Sequence, residues 1–254
     1  MAGETIVNVM PNYELGLISQ IRKEFQAAGV ILNIQPYDIV VETLVNNNFA
    51  GFTYEMGVRR NMRPLETALG DNDGFIMTHM AIGLYKEDNT LAGNFKRGGN
   101  SQPFYYPDAN LFSVAATDVN VSESDALEAN YKGMLTAKAD QKEVLLELPT
   151  YRFRKVPRTQ LVTAAPVAKP SYFGEQFEEM FLPIIWEGKK TNRWTFAPAA
   201  QADLAQAGGA ANTQNVLQII KRGYIIRDFC ESITLQEFRK QMPTVYQMLA
   251  SNGK

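Results

Sequence analysis

The residues of this chain that could do chemistry are few and scattered. There is one histidine, His79, and one cysteine, Cys230, in 254 residues. A Ser-His-Asp or Cys-His nucleophile system needs histidine as its general base, so any such system would have to use His79. That residue sits between Thr78 and Met80 inside the apolar run Phe75–Tyr85, and no motif sets a serine or Cys230 beside it. The expectation is a histidine packed within a sheet. One His and one Cys cannot complete a zinc tetrad. Asp71-Asn72-Asp73-Gly74 opens like a calcium loop, but Phe75 takes the next ligand position and the rest of the pattern is missing. An Asx/Gly turn before a strand is expected there. Neither spacing of a phosphate-cradling loop occurs; the glycines at 93, 98, 99, 208 and 209 fit no such motif. The reading assigns no catalytic residue, no cofactor and no metal ligand, and expects no enzyme.

Two further groups could act only if the fold gathered them. Glu175, Glu178, Glu179 and Glu187 lie near Tyr172, Phe173, Phe177 and Trp186. A glycosidase needs two facing carboxyl groups, which leave no spacing signature; surface charge beside core aromatics is the expected reading. The basic clusters are Arg59, Arg60 and Arg63, then Arg152, Arg154, Lys155 and Arg158. In the second, Arg152 and Arg154 alternate with Tyr151 and Phe153, which on a strand would send both arginines to one face. Such a face can hold a nucleic-acid backbone. A net charge of −2 favours instead a solvated face or a contact with carboxylates.

These side chains must be positioned by a largely β framework. Leu127–Asp140 alternates apolar or small residues with polar ones, broken only at Met134, which predicts a strand with one buried face. A second strand is predicted over Val144–Val156. There the apolar phase shifts near Pro149, from Val144, Leu146 and Leu148 to Tyr151 and Phe153, and a bulge or bend would explain it. Upstream, Val30–Ile34, Ile39–Val45 and Phe49–Met56 read as short strands separated by Gln35-Pro36 and Asn46-Asn47-Asn48. Phe75–Tyr85 is apolar on both faces and so central in a sheet. Lys86–Pro107 reads as a loop or extra hairpin, and Asn110–Ala116 as a weak strand. Phe181–Trp186 and Trp194–Phe196 flank a hairpin-like turn, Glu187–Arg193, containing Gly188. Ala199–Gln214 reads as a loop, and Val216–Phe229 as a last strand bent near Gly223. Helices are expected at both ends. One spans Asn12–Ala28, with Leu15, Ile18, Ile21 and Phe25 on one stripe. The other opens on the capping box Thr234-Leu235-Gln236-Glu237 and is kinked at Pro243.

Composition sets the outer bounds. With 45% hydrophobic and 20% charged residues, wholesale disorder is excluded. A single cysteine excludes a disulfide-stapled scaffold. The longest apolar runs are far short of the roughly 20 residues a membrane helix needs. Met1–Pro11 lacks the basic and apolar regions of a secretory signal, so the sequon Asn120-Val121-Ser122 reads as chance. The expected division is a helical arm over 1–29, an all-β jelly-roll domain over 30–230 with a possible sub-boundary at 163–169, and a terminal helix over 231–254.

Within that frame, Asp108–Phe112 (DANLF), Leu127–Asp140 (LEANYKGMLTAKAD) and Glu147–Gln160 (ELPTYRFRKVPRTQ) resemble stretches of jelly-roll capsid proteins of tailless icosahedral bacteriophages. Asn192–Pro198 (NRWTFAP) and Asn215–Phe229 (NVLQIIKRGYIIRDF) are similar to late strands of such barrels. The resemblance is a pattern of strands over about half the chain and leaves single versus double barrel open. It implies a virion subunit, assembled in the host cytoplasm, that packs against copies of itself as a homo-oligomer, commonly a trimer, and against other virion proteins. It also implies contacts to nucleic acid or an inner membrane through the terminal helices or through Arg152, Arg154, Lys155 and Arg158. The alternatives are a β-sandwich binding module with an aromatic platform at Tyr105, Tyr106 or Trp186, and a hydrolase with carboxylates assembled by the fold.

Overall fold

The computed structural model describes residues 31–45, 49–58, 66–88, 103–107, 123–156, 176–201 and 213–229, with separate helical positions between 16 and 26. Eight strands carry the architecture: β1 (Asn33–Val45), β2 (Phe52–Glu55), β3 (Gly74–Asp88), β4 (Met134–Ala139), β5 (Lys142–Pro149), β6 (Glu178–Glu187), β7 (Asn192–Ala197) and β8 (Thr213–Arg227). One short helix, α1 (Glu123–Glu128), precedes β4. The strands form two four-stranded antiparallel sheets, ordered β1-β8-β3-β6 and β2-β7-β4-β5. The chain is all-β in its described body, as expected.

The sheets face each other across one core. Ile39, Val41 and Val45 of β1 point into it, as do Leu217, Ile219 and Ile225 of β8 and Phe75, Met77, Met80, Ile82 and Leu84 of β3. Phe52 and Tyr54, Leu135 and Ala137, and Trp194 and Phe196 answer from the second sheet at alternate positions. The first sheet is covered on its other side too, where Ala81 and Ile220 pack with Tyr105, Val40 and Phe177. Burial on both sides explains why β3 and β8 carry apolar residues on both faces.

Several sequence expectations are corrected here. Gln35-Pro36 does not divide the chain into separate strands: β1 runs straight through it. Proline is tolerated because β1 is an edge strand, where a missing N–H need remove no ladder bond. Leu127–Asp140 is not one strand. Its first residues end α1 and form a 3-10 turn over Ala129–Tyr131. Leu127 and Tyr131 are both fully buried, four apart on one helical face, so two apolar positions that fit a strand period also fit a helical one. Only Met134–Ala139 is strand, and Met134, the residue that broke the alternation, points outward.

The second strand ends at Pro149 and gives way to a 3-10 turn, Thr150–Phe153. Its phase change comes earlier than expected. Leu135 pairs with Leu148 but Ala137 with Leu145, so β5 carries an extra residue there, and Glu147 adopts φ 50°. A second register shift lies beside Val144. The bulges turn Leu145 and Leu148 inward and leave Val144 and Leu146 outside. The turn expected to form a hairpin over Glu187–Arg193 instead carries the chain from one sheet to the other, since β6 pairs with β3 and β7 with β2 and β4.

Gly223 permits the closest approach within the first sheet. A Cβ there would sit on the Ile76 carbonyl, beside the irregularity where Thr78 stands as an extra residue between Met77 and His79. At the N-terminal side, residues 16, 18, 19, 21–23 and 26 are helical, Ile18 and Ile21 are buried, and Arg22 Nη2 donates to the Ile34 carbonyl at 2.8 Å. The expected helix at 231–254, the segments 108–122 and 163–169, and Asn46-Asn47-Asn48 lie outside the described residues.

Candidate functional site

His79 lies in β3 opposite Arg222 and Glu179, with Nδ1 3.0 Å from Thr78 Oγ1. It is a sheet histidine, as expected; Cys230 lies outside the described residues. Asp71-Asn72 forms a turn and Asp73 serves the fold. Asp73 Oδ2 accepts from Arg227 Nη1 at 2.6 Å, its Oδ1 accepts from the Asp228 backbone N–H at 3.2 Å, and its backbone carbonyl accepts from Gly188 N–H at 2.8 Å. This carboxylate pins the end of β8 to the start of β3, and it is committed to that work.

The described acidic residues do not converge. Glu178 and Glu187 stand at opposite ends of β6, and Glu179 is in register with His79. Glu175, Tyr172 and Phe173 lie outside the described residues. Glu178 is held by two cations: Arg152 donates to Oε1 through Nε at 3.2 Å and Nη2 at 2.9 Å, and Lys155 Nζ donates to Oε2 at 2.5 Å. Burial alone would raise its pKa, but the hydrogen bonds and charges of Lys155 and Arg152 outweigh burial and hold it below the usual carboxylate value. A general acid needs the opposite shift.

The same contacts engage the described part of the basic cluster. Arg152 and Arg154 do not share a strand face, because they belong to and follow a 3-10 turn. Arg154 Nε reaches Glu128 at 2.7 Å, across to α1. Arg152, Arg154 and Lys155 are thus matched by Glu128 and Glu178 within the chain, and the turn after β5 is stapled to α1 and β6. Arg158 and the cluster Arg59, Arg60 and Arg63 lie outside the described residues.

No exposed aromatic platform forms from the expected residues, because Tyr105, Tyr106 and Trp186 are all buried. Trp186 belongs instead to an aromatic group between the sheets. Its ring lies 5.3 Å from that of Trp194, which stacks near Tyr54 at 6.4 Å and donates through Nε1 to Met56 Sδ at 3.1 Å. Lys221 enters this group from β8, with Nζ 4.3 Å from the Tyr54 ring centroid and 4.8 Å from that of Trp194. The sequence reading missed Lys221. The signal was there, since Leu217, Ile219 and Lys221 share one strand face and the first two are core.

The outside of the β4–β5 hairpin and the turn after it carry apolar side chains in solvent: Met134 (42% exposed), Val144 (40%), Leu146 (65%) and Tyr151 (66%). All four belong to β4, β5 or the 3-10 turn that follows. No group of three or more metal-ligating side chains gathers among the described residues, and no described helix is long and apolar enough to cross a membrane.

No protein family, no curated protein and no solved structure matches this chain.

Proposed function

We propose that this chain is a virion structural protein, a capsid subunit built on a jelly roll that assembles with copies of itself. The observation that carries the reading is the order of pairing. The first strand pairs with the eighth, the second with the seventh, the third with the sixth and the fourth with the fifth. That is one long eight-stranded hairpin. Wrapped so that β8 also meets β3 and β7 also meets β4, this pairing supports reading the two sheets as a jelly roll, an architecture used by viral capsid and lectin domains and by cupins.

Among those uses, the filled interior favours assembly. Trp186, Trp194, Tyr54, Phe52 and Phe196 occupy the space between the sheets, where a cupin would hold its ligand. The single histidine also speaks against a histidine-built metal centre. With the interior packed, the working surface is external, and the apolar side chains of β4, β5 and the turn after them are suited to subunit contact. Fold alone does not determine function, so the test is assembly itself. Negative-stain imaging and light scattering of the purified protein over a range of concentrations should show closed shells or discrete capsomers. A monomer at every concentration overturns the proposal.

A further inference from the structure

We infer that Lys221 is a protonation switch set between the two sheets: with its amine neutral the sheets close on it, and proton uptake loosens their packing. The inference is independent of the shell reading. Lys221 is fully buried, and among the described residues its Nζ has no hydrogen-bond partner. Its neighbours in register are Ile39 on β1 and Met80 on β3. Facing it across the core are Tyr54 of β2 and Trp194 of β7. Tyr54 is the one titratable group among these four, and burial pushes its own hydroxyl further from ionisation. The nearest charged residues by position lie on the outer faces: Arg222 is paired with Asp38, and Arg193 with Glu55. No described carboxylate faces the amine.

Magnitudes decide which form the site prefers. A desolvated ammonium over an aromatic face gains about 2 kcal/mol. Removing it from water without an anion or hydrogen-bond acceptors costs several times that. The rings therefore cannot hold the charge. Burial lowers the Lys221 pKa well below its ordinary value, in line with this geometry. The sign follows. In the unfolded chain the amine takes a proton below about pH 10.4, while in the folded protein it does so only at lower pH. Folding is therefore most favourable above the unfolded value and weakens as pH falls toward the folded one. Below that, the native state must itself carry the charge.

The chain has two tryptophans, and both lie in this aromatic group, so their emission reads the site directly. The experiment titrates tryptophan emission and iodide quenching of the full chain downward from pH 10, for wild type and for Lys221→Met, which keeps length and removes the charge. Wild type should show a one-proton transition to redder, more quenchable emission. Its folding constant, from urea unfolding, should fall roughly tenfold per pH unit above that transition. Lys221→Met should show neither. An identical titration in both proteins overturns the inference. A measurement on wild type alone guards against a misfolded variant: nitrogen NMR of ζ-labelled lysine should show one amine neutral at a pH where the others are ammonium. Ammonium signals throughout, in folded protein, overturn it as well.

Discussion

Arg222 holds Asp38 with both ends of its guanidinium, Nε to Oδ1 at 3.0 Å and Nη2 to Oδ2 at 2.9 Å, while its planar group lies 3.8 Å from the Phe177 ring centroid. The pair links β8 to β1 on the outer side of the first sheet, next to the strand irregularity at Thr78. Two-pronged geometry of this kind is stronger than a single ion contact, though about a third of each side chain is open to solvent and screening reduces it. A double-mutant cycle with Asp38→Ala and Arg222→Ala should give a coupling of about 1 kcal/mol by urea unfolding. Arg222→Ala alone should cost more than Asp38→Ala, because it also uncovers Phe177.

Gly223→Ala should damage the first sheet from its centre. The new methyl would occupy the position of the Ile76 carbonyl oxygen, and both strands are held on either side, so neither can move away. A loss of about 2–3 kcal/mol is expected, read as a lowered urea midpoint with an unchanged slope.

Glu178 should supply some of the acid sensitivity of the fold. Its carboxyl is held below the ordinary range by Lys155 and Arg152 against the opposing effect of burial. A carboxylate depressed in the folded state contributes above its unfolded pKa, and that contribution is lost as pH falls through the folded value. Glu178→Gln should be less stable than wild type by about 1 kcal/mol at pH 7. The gap between the two stability curves should begin to close below the unfolded carboxylate value of about 4.3 and vanish once the pH passes below the lowered folded value. Curves that stay parallel to pH 3 would show that the clamp contributes through packing alone.

Leu146→Lys and Tyr151→Ser separate assembly from folding. Both side chains are about two-thirds exposed, so the isolated subunit should keep its stability within about 0.5 kcal/mol. Under the shell proposal, light scattering of the double variant should show smaller particles than wild type. Unchanged particles would move the contact surface elsewhere on the molecule.

What could be read from the sequence followed the range of the interactions. Phe75–Tyr85 announced a central strand because burial on both faces leaves a continuous apolar run. Val216–Phe229 announced β8, Thr213–Arg227, because apolar residues recur on both of its faces. His79 and the Asp71–Gly74 turn read correctly from local chemistry. Leu127–Tyr131 misled because their spacing suits a strand and a helical turn alike, and burial by distant residues chose between them. Glu147 misled because a residue at positive φ reverses which side of β5 faces inward, and no neighbour in sequence demands it. The partners of Arg152 and Arg154, and the role of Lys221, depended on strands that meet only in three dimensions.

The central place of β8 in the first sheet also sets a timetable. β8 lies between β1 and β3, yet it leaves the ribosome after all the other described strands. Until it arrives, β1 has no neighbour in its sheet, and β3 is paired with β6 alone. Pairing of such distant segments is slow, and a chain caught before it has open edges that invite aggregation. Completion of the first sheet thus waits until residue 227 is made. A shortened product lacking β8 would be unable to present a finished surface to anything it meets.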